Sequence, residues 1–143
     1  MTKVALPEIV IGKNLAIEVS SDDVQILKTF YSSQLKVNIN KEFGELRVFR
    51  ESTMEPLSKV YVKVFCKDKA GQGLFFKDGF TDIRGKFVYA NASGKSLDDV
   101  KLFSILISSD SHGYGSCIKE IEPPSNQDGG MSTMWKLIKS SIL

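Results

Sequence analysis

Cys66, Cys117 and His112 are the residues of this chain best suited to nucleophilic chemistry, and His112 is its sole histidine. A cysteine nucleophile needs a base within hydrogen-bond reach and a third group to orient that base. His112 lies in the turn-like stretch SDSHGYG (109–115), and Cys117 follows in a segment with apolar flanks. The pattern reads as a solvated turn histidine beside a packed, reduced thiol. Zinc would need four ligands from these three residues and a carboxylate, without CxxC spacing. No catalytic residue, metal ligand or cofactor-binding residue is expected.

Three further groups carry other chemistry. Asp22-Asp23, Asp98-Asp99 and Asp110 evoke calcium loops, but adjacent acids in a loop point to different sides and read as solvated turns. Gly71-Gln72-Gly73 lacks the following helix that a phosphate cradle requires, so a hairpin turn is expected. Lys77-Asp78-Gly79, and Asp82 with Arg84, read as turn-stabilising pairs, because exposed ion pairs contribute little. Tyr61, Phe65 and Phe75, with Lys63 and Lys77, would suit stacking of single-stranded nucleic acid or burial between two sheets. Nineteen Lys and Arg against seventeen acids leave a net charge of +2, too small to favour nucleic acid. Nothing points to a small-molecule substrate.

The elements that would position these residues are strands. Leu57 to Asn91 reads as three strands joined by two Gly-containing turns, and the rest of the chain is organised around it. Val60, Val62, Val64 and Cys66 alternate with Tyr61, Lys63, Phe65 and Lys67, the residue types that fit a pleated, half-buried surface. Leu15, Ile17 and Val19 predict a first half-buried strand. Residues 24–31 read as strand, although Ile26, Leu27 and Phe30 also suit one helical turn. Leu35 to Ile39 and Leu46 to Val48 form a hairpin signal, with further strands over 101–109 and 116–121. Residues 96–100 admit one helical turn capped by Ser96. The expected fold is all-β, an antiparallel sandwich of about seven to nine strands with a short C-terminal amphipathic helix.

At 143 residues, 42% apolar and 25% charged, the chain suits one globular domain. Its expected organisation is a lead-in over 1–13, the sandwich over 14–124, a polar linker over 125–130 and a helix over 131–143. Met131, Met134, Trp135, Ile138 and Ile142 recur at helical spacing. A helix this short is marginal alone in water and needs a docking surface. That surface is its own sandwich, a partner or second copy, or a membrane surface, the last weakened by having only Lys136 and Lys139 nearby. With no signal-like or membrane-spanning run, the chain is expected to be intracellular or a domain of a longer protein.

Leu57 to Tyr89 carries a family pattern. Val60-Tyr61-Val62-Lys63-Val64 is followed by Thr81-Asp82-x-x-Gly85-x-Phe87, and the stretch from Leu35 to Pro124 resembles transthyretin-like, carboxypeptidase-regulatory-like β-sandwiches. It also looks like a C-terminal domain of large multidomain proteins. The resemblance implies a scaffold or protein-interaction module without an active site. Ser58 to Val64 also resembles C2 domains, but the acid before the Tyr-Val-Lys strand and a later Asp-x-Asp loop are missing. That likeness implies a calcium-independent membrane-surface module as the alternative.

Overall fold

The computed structural model describes residues 3–90 and 97–124. The tail residues Met131, Met134, Trp135, Ile138 and Ile142 lie outside the described residues, as does Ser96. Nine strands follow a 3-10 turn at Glu8–Val10: β1 Leu15–Ser21, β2 Val24–Phe30, β3 Leu35–Asn40, β4 Glu45–Arg50, β5 Tyr61–Asp68, β6 Gly73–Phe80, β7 Lys86–Val88, β8 Val100–Ser108 and β9 Ser116–Ile121. Asp110–His112 forms a second 3-10 turn. The helical turn expected before β8 is a tight turn instead. The Val100 N–H meets the Leu97 carbonyl at 3.1 Å, and Val100 already belongs to β8.

All pairings are antiparallel. A three-stranded sheet runs β3-β4-β7, a four-stranded sheet runs β6-β5-β8-β9, and β1-β2 stand apart as a hairpin. The chain makes the β3-β4 hairpin, crosses to β5-β6, returns to β7 beside β4, then crosses again to β8 beside β5. Alternation decides the core. Leu46 and Val48 of β4, Phe87 of β7, Val62 and Val64 of β5 and Ile105 of β8 are all buried. Phe103 sits at the centre, edge-on to Phe76 at 5.1 Å and to Tyr89 at 5.7 Å, a geometry that aromatic quadrupoles favour.

The Thr81-Asp82-x-x-Gly85-x-Phe87 segment is the joint between the sheets. Buried Thr81 donates its hydroxyl to the Leu57 carbonyl at 2.6 Å and accepts the Val60 N–H at 3.0 Å. Asp82 accepts the backbone N–H of Arg84 and Lys86, both at 2.9 Å. The Lys86 bond is the main reason its carboxyl is held below the ordinary value. Gly85 takes φ +72°, and a Cβ there would stand 2.4 Å from the Val48 carbonyl oxygen. Only glycine fits that approach.

The hairpin breaks the expectation of a half-buried first strand. Only Leu15 and Ile17 of β1 are half-buried, and all of β2 is exposed. Its link to the sandwich is polar. Asn14 donates to Ser116 Oγ at 3.2 Å and accepts the Ser32 N–H at 3.0 Å, while Ser33 bridges Gly115.

Candidate interaction surface

The candidate nucleophile and base do not come together. His112 is exposed, shares a hydrogen bond with Ser111 Oγ at 3.1 Å and stacks on Tyr114 at 6.2 Å. Cys66 is buried on β5 opposite Phe103. Cys117 lies on β9 opposite Ile107, and burial pushes its thiol pKa up, away from thiolate. Asp22-Asp23, Asp98-Asp99 and Asp110 sit in three separate turns. Among the described residues no group of three or more His, Cys, Asp or Glu could hold a metal ion. Gly71-Gln72-Gly73 closes the β5-β6 hairpin, where Asp68 accepts the Gln72 N–H at 2.7 Å.

The aromatic-basic group is brought together on the outer face of its sheet, with a changed membership. A register shift between Val64 and Phe65 places Val64 opposite Lys77 but Phe65 opposite Phe75, leaving Phe76 as the extra residue. Such a bulge locally breaks the alternation along the strand. Phe76 turns into the core, and Lys77 reaches across to the other sheet. Its ammonium donates to the Val88 carbonyl at 2.7 Å and lies 5.1 Å from the Phe87 ring centre. Lys77 therefore leaves the aromatic group. Tyr61, Phe65 and Phe75 face away from the core rather than between the sheets, since Val62, Val64 and Cys66 fill the inner side of β5.

The outer face of the four-stranded sheet is consequently aromatic. Tyr61 pairs with Phe80, ring centres 5.5 Å apart, and Phe65 meets Phe75 edge-on at 6.2 Å. Lys63 stands between these pairs, its ammonium 5.2 Å from Phe65 and 5.9 Å from Phe75. Asp78 accepts the Tyr61 hydroxyl at 2.8 Å, which raises the Tyr61 pKa. Leu106 and Ile118 continue the row of Lys63 across β8 and β9. Phe75 is 55% exposed and Phe80 64%, well above a core residue, so these rings are free to meet another surface.

Sequence reasoning missed Phe80, Leu106 and Ile118. The register was the needed signal: Phe80 shares parity with Tyr61 only through the pairing of β5 with β6. It also missed a second apolar surface. Leu15, Ile17, Val19, Val24, Ile26 and Phe30 share one face of the β1-β2 hairpin, and the last four are more than half exposed.

Residues 34–126 match a family model described as the AbpF C-terminal domain. Over 119 residues the chain is 40% identical to a protein named Actin-binding protein F from Dictyostelium discoideum. That match covers 83% of this chain but 5% of that protein, so the chain spans a small fraction of its relative's length. No solved structure matches the chain.

Proposed function

The chain belongs to the family of the AbpF C-terminal domain, and we propose from that membership that it is a non-catalytic protein-interaction module of a larger actin-binding protein. The aromatic outer face of β6-β5-β8-β9 carries the reading. Clustered, exposed aromatic rings around a cation supply the anchors that dominate protein interfaces. The partner is actin, which would place the module inside the cell. Segment 131–143, with Met131, Met134, Trp135, Ile138 and Ile142, serves as a docking element joined by the linker over 125–130.

Co-sedimentation with filamentous actin tests the proposal. The chain pellets with filaments, and Phe75→Ser with Phe80→Ser reduces the bound fraction several-fold. Failure of the parent chain to pellet removes actin as the partner.

The strand order supports an immunoglobulin-like arrangement with one change. In a constant-type immunoglobulin sandwich the fourth strand joins the sheet of the fifth, whereas here β6, the fourth sandwich strand, pairs with β5. Antibody domains carry a disulfide between their sheets; here both cysteines are free, and Phe103 packs edge-on against Phe76 and Tyr89. The transthyretin-like likeness rests on the Thr81 to Phe87 joint, which its hydrogen bonds explain as a structural solution. The C2-like alternative draws no support from the family or the relative.

A further inference from the structure

We propose that the apolar face of the β1-β2 hairpin is a homodimer contact, covered by the same hairpin of a second copy laid tip over base. This face plays no part in the actin reading, so the two stand or fall separately.

The register defines the face. Residues directly opposite one another in an antiparallel ladder share a side. Leu15 stands opposite Phe30, Ile17 opposite Lys28, Val19 opposite Ile26 and Ser21 opposite Val24, so six of these eight positions are apolar. The other side is mostly polar, and Gln25 donates to Glu18 there. Nine of the seventeen large apolar side chains exposed among the described residues lie between Val4 and Phe30, against eight in all of the sandwich. Apolar surface gathered in this way marks a contact.

The charges select the occupant. Asp22 and Asp23 form the turn at the tip, while Lys13 and Lys28 lie towards the base, and Lys28 is the single charge on the apolar face. A two-fold axis through the middle of the face sets the Val19–Ile26 row of one copy over the Ile17–Lys28 row of the other. The same rotation brings each acidic tip to the other copy's Lys13 end. One operation thus satisfies both ends, because an isologous contact makes every pairing twice. Stacking the hairpins in the same direction would set acid over acid and lysine over lysine, which complementary interfaces avoid.

The result is four strands in two layers about 10 Å apart, the layer that a lone two-stranded ladder lacks. The apolar side chains of two copies would remove on the order of 1,000 Å² from water, the low end for a specific interface. A micromolar dimer follows. Below that concentration the chain is a monomer with a bare hairpin, the state that dilute denaturation and exchange measurements read.

Analytical ultracentrifugation of the 143-residue chain, from low-micromolar to submillimolar concentration, should show monomer and dimer and nothing larger. Val19→Ser with Ile26→Ser should raise the dimer Kd about tenfold or more, with unchanged circular dichroism. Should that variant not fold, the exposed charges supply a second test. Asp22→Lys with Asp23→Lys, or Lys13→Glu with Lys28→Glu, should each weaken the dimer several-fold, and the combined variant should restore it. Amides of Val24–Phe30 should gain protection only as concentration rises.

A chain that stays monomeric at every concentration overturns the proposal. So does association without limit, which marks a head-to-tail contact. A dimer that survives Val19→Ser with Ile26→Ser overturns it too, and its loss in Phe75→Ser with Phe80→Ser would assign it to the aromatic face. Charge reversals whose combination fails to restore the dimer remove the tip-over-base arrangement.

Discussion

The β1-β2 hairpin and the β5-β8 pair are both antiparallel ladders with alternating apolar residues, yet one is sealed and the other bare. Along β5 and β8, Val62, Val64, Phe103, Ile105 and Ile107 are buried against the β3-β4-β7 sheet. Along the hairpin, Val19, Ile26 and Phe30 are 62%, 51% and 60% exposed. Strand pairing alone is therefore not what stabilises a ladder in this molecule. A second layer is, because an isolated two-stranded hairpin is marginal in water.

The comparison is sharpest at Phe103. Truncating this fully buried ring removes its contacts with Phe76 and Tyr89 and leaves a cavity. Phe103→Ala is expected to lose about 3–5 kcal/mol, read as a large fall in the denaturation midpoint. Gly85→Val comes next. The added Cβ meets the Val48 carbonyl in a left-handed backbone, so the joint between the sheets must open. Thermal melts should show a loss of about 2 kcal/mol or more. Either variant melting like the parent would deny the two-layer account.

The strands themselves were legible because their side chains keep period two and their turns carry Gly, Asp and Asn; even the ambiguous stretch 24–31 holds β2, Val24–Phe30. What alternation cannot state is which face another layer will cover. Ile17, Val19, Ile26 and Phe30 satisfy the same rule as Val62 and Val64, and only tertiary contacts distinguish them. The outer aromatic face was half legible for a related reason. Tyr61, Phe65 and Phe75 stood out as a group, but the bulge at Val64/Phe65 shifts parity along β6. That shift sends Lys77 inward and leaves Phe80 outside, and one extra residue opposite another strand leaves no mark on a single strand's pattern.

Two polar groups refine the sealed side of the comparison. Asp82 is depressed in the folded state by its backbone hydrogen bonds. Its contribution is present above the ordinary value of 3.8 and is lost as pH falls through the lower folded value. Acid titration of Asp82→Asn should therefore show a shallower fall in stability below about pH 4 than the parent chain. An unchanged slope would remove the carboxylate from the joint. Tyr89 presents the converse case. Its hydroxyl is buried without a hydrogen-bond partner among the described residues, and burial raises its pKa. Removing an unsatisfied hydroxyl while keeping the ring costs nothing in packing, so Tyr89→Phe should be neutral or stabilising by about 1 kcal/mol in chemical denaturation.

The smallest effect belongs to the bare ladder and tests it most directly. If Val19 and Ile26 cover nothing, Val19→Ser with Ile26→Ser removes little buried area. The global midpoint should then move by no more than about 0.5 kcal/mol. Hydrogen exchange gives the complementary measurement. Amides of β2, with no layer over them among the described residues, should exchange at low opening energies, whereas those of β5 and β8 exchange only near global unfolding. The two regions would then be separable units in one chain, joined through Asn14, Ser33 and Gly115. If the double substitution instead lowers stability as much as a core truncation, or β2 amides are protected like those of β5, the hairpin face is covered. The difference between the two ladders would then be one of partners, with each buried beneath its own layer.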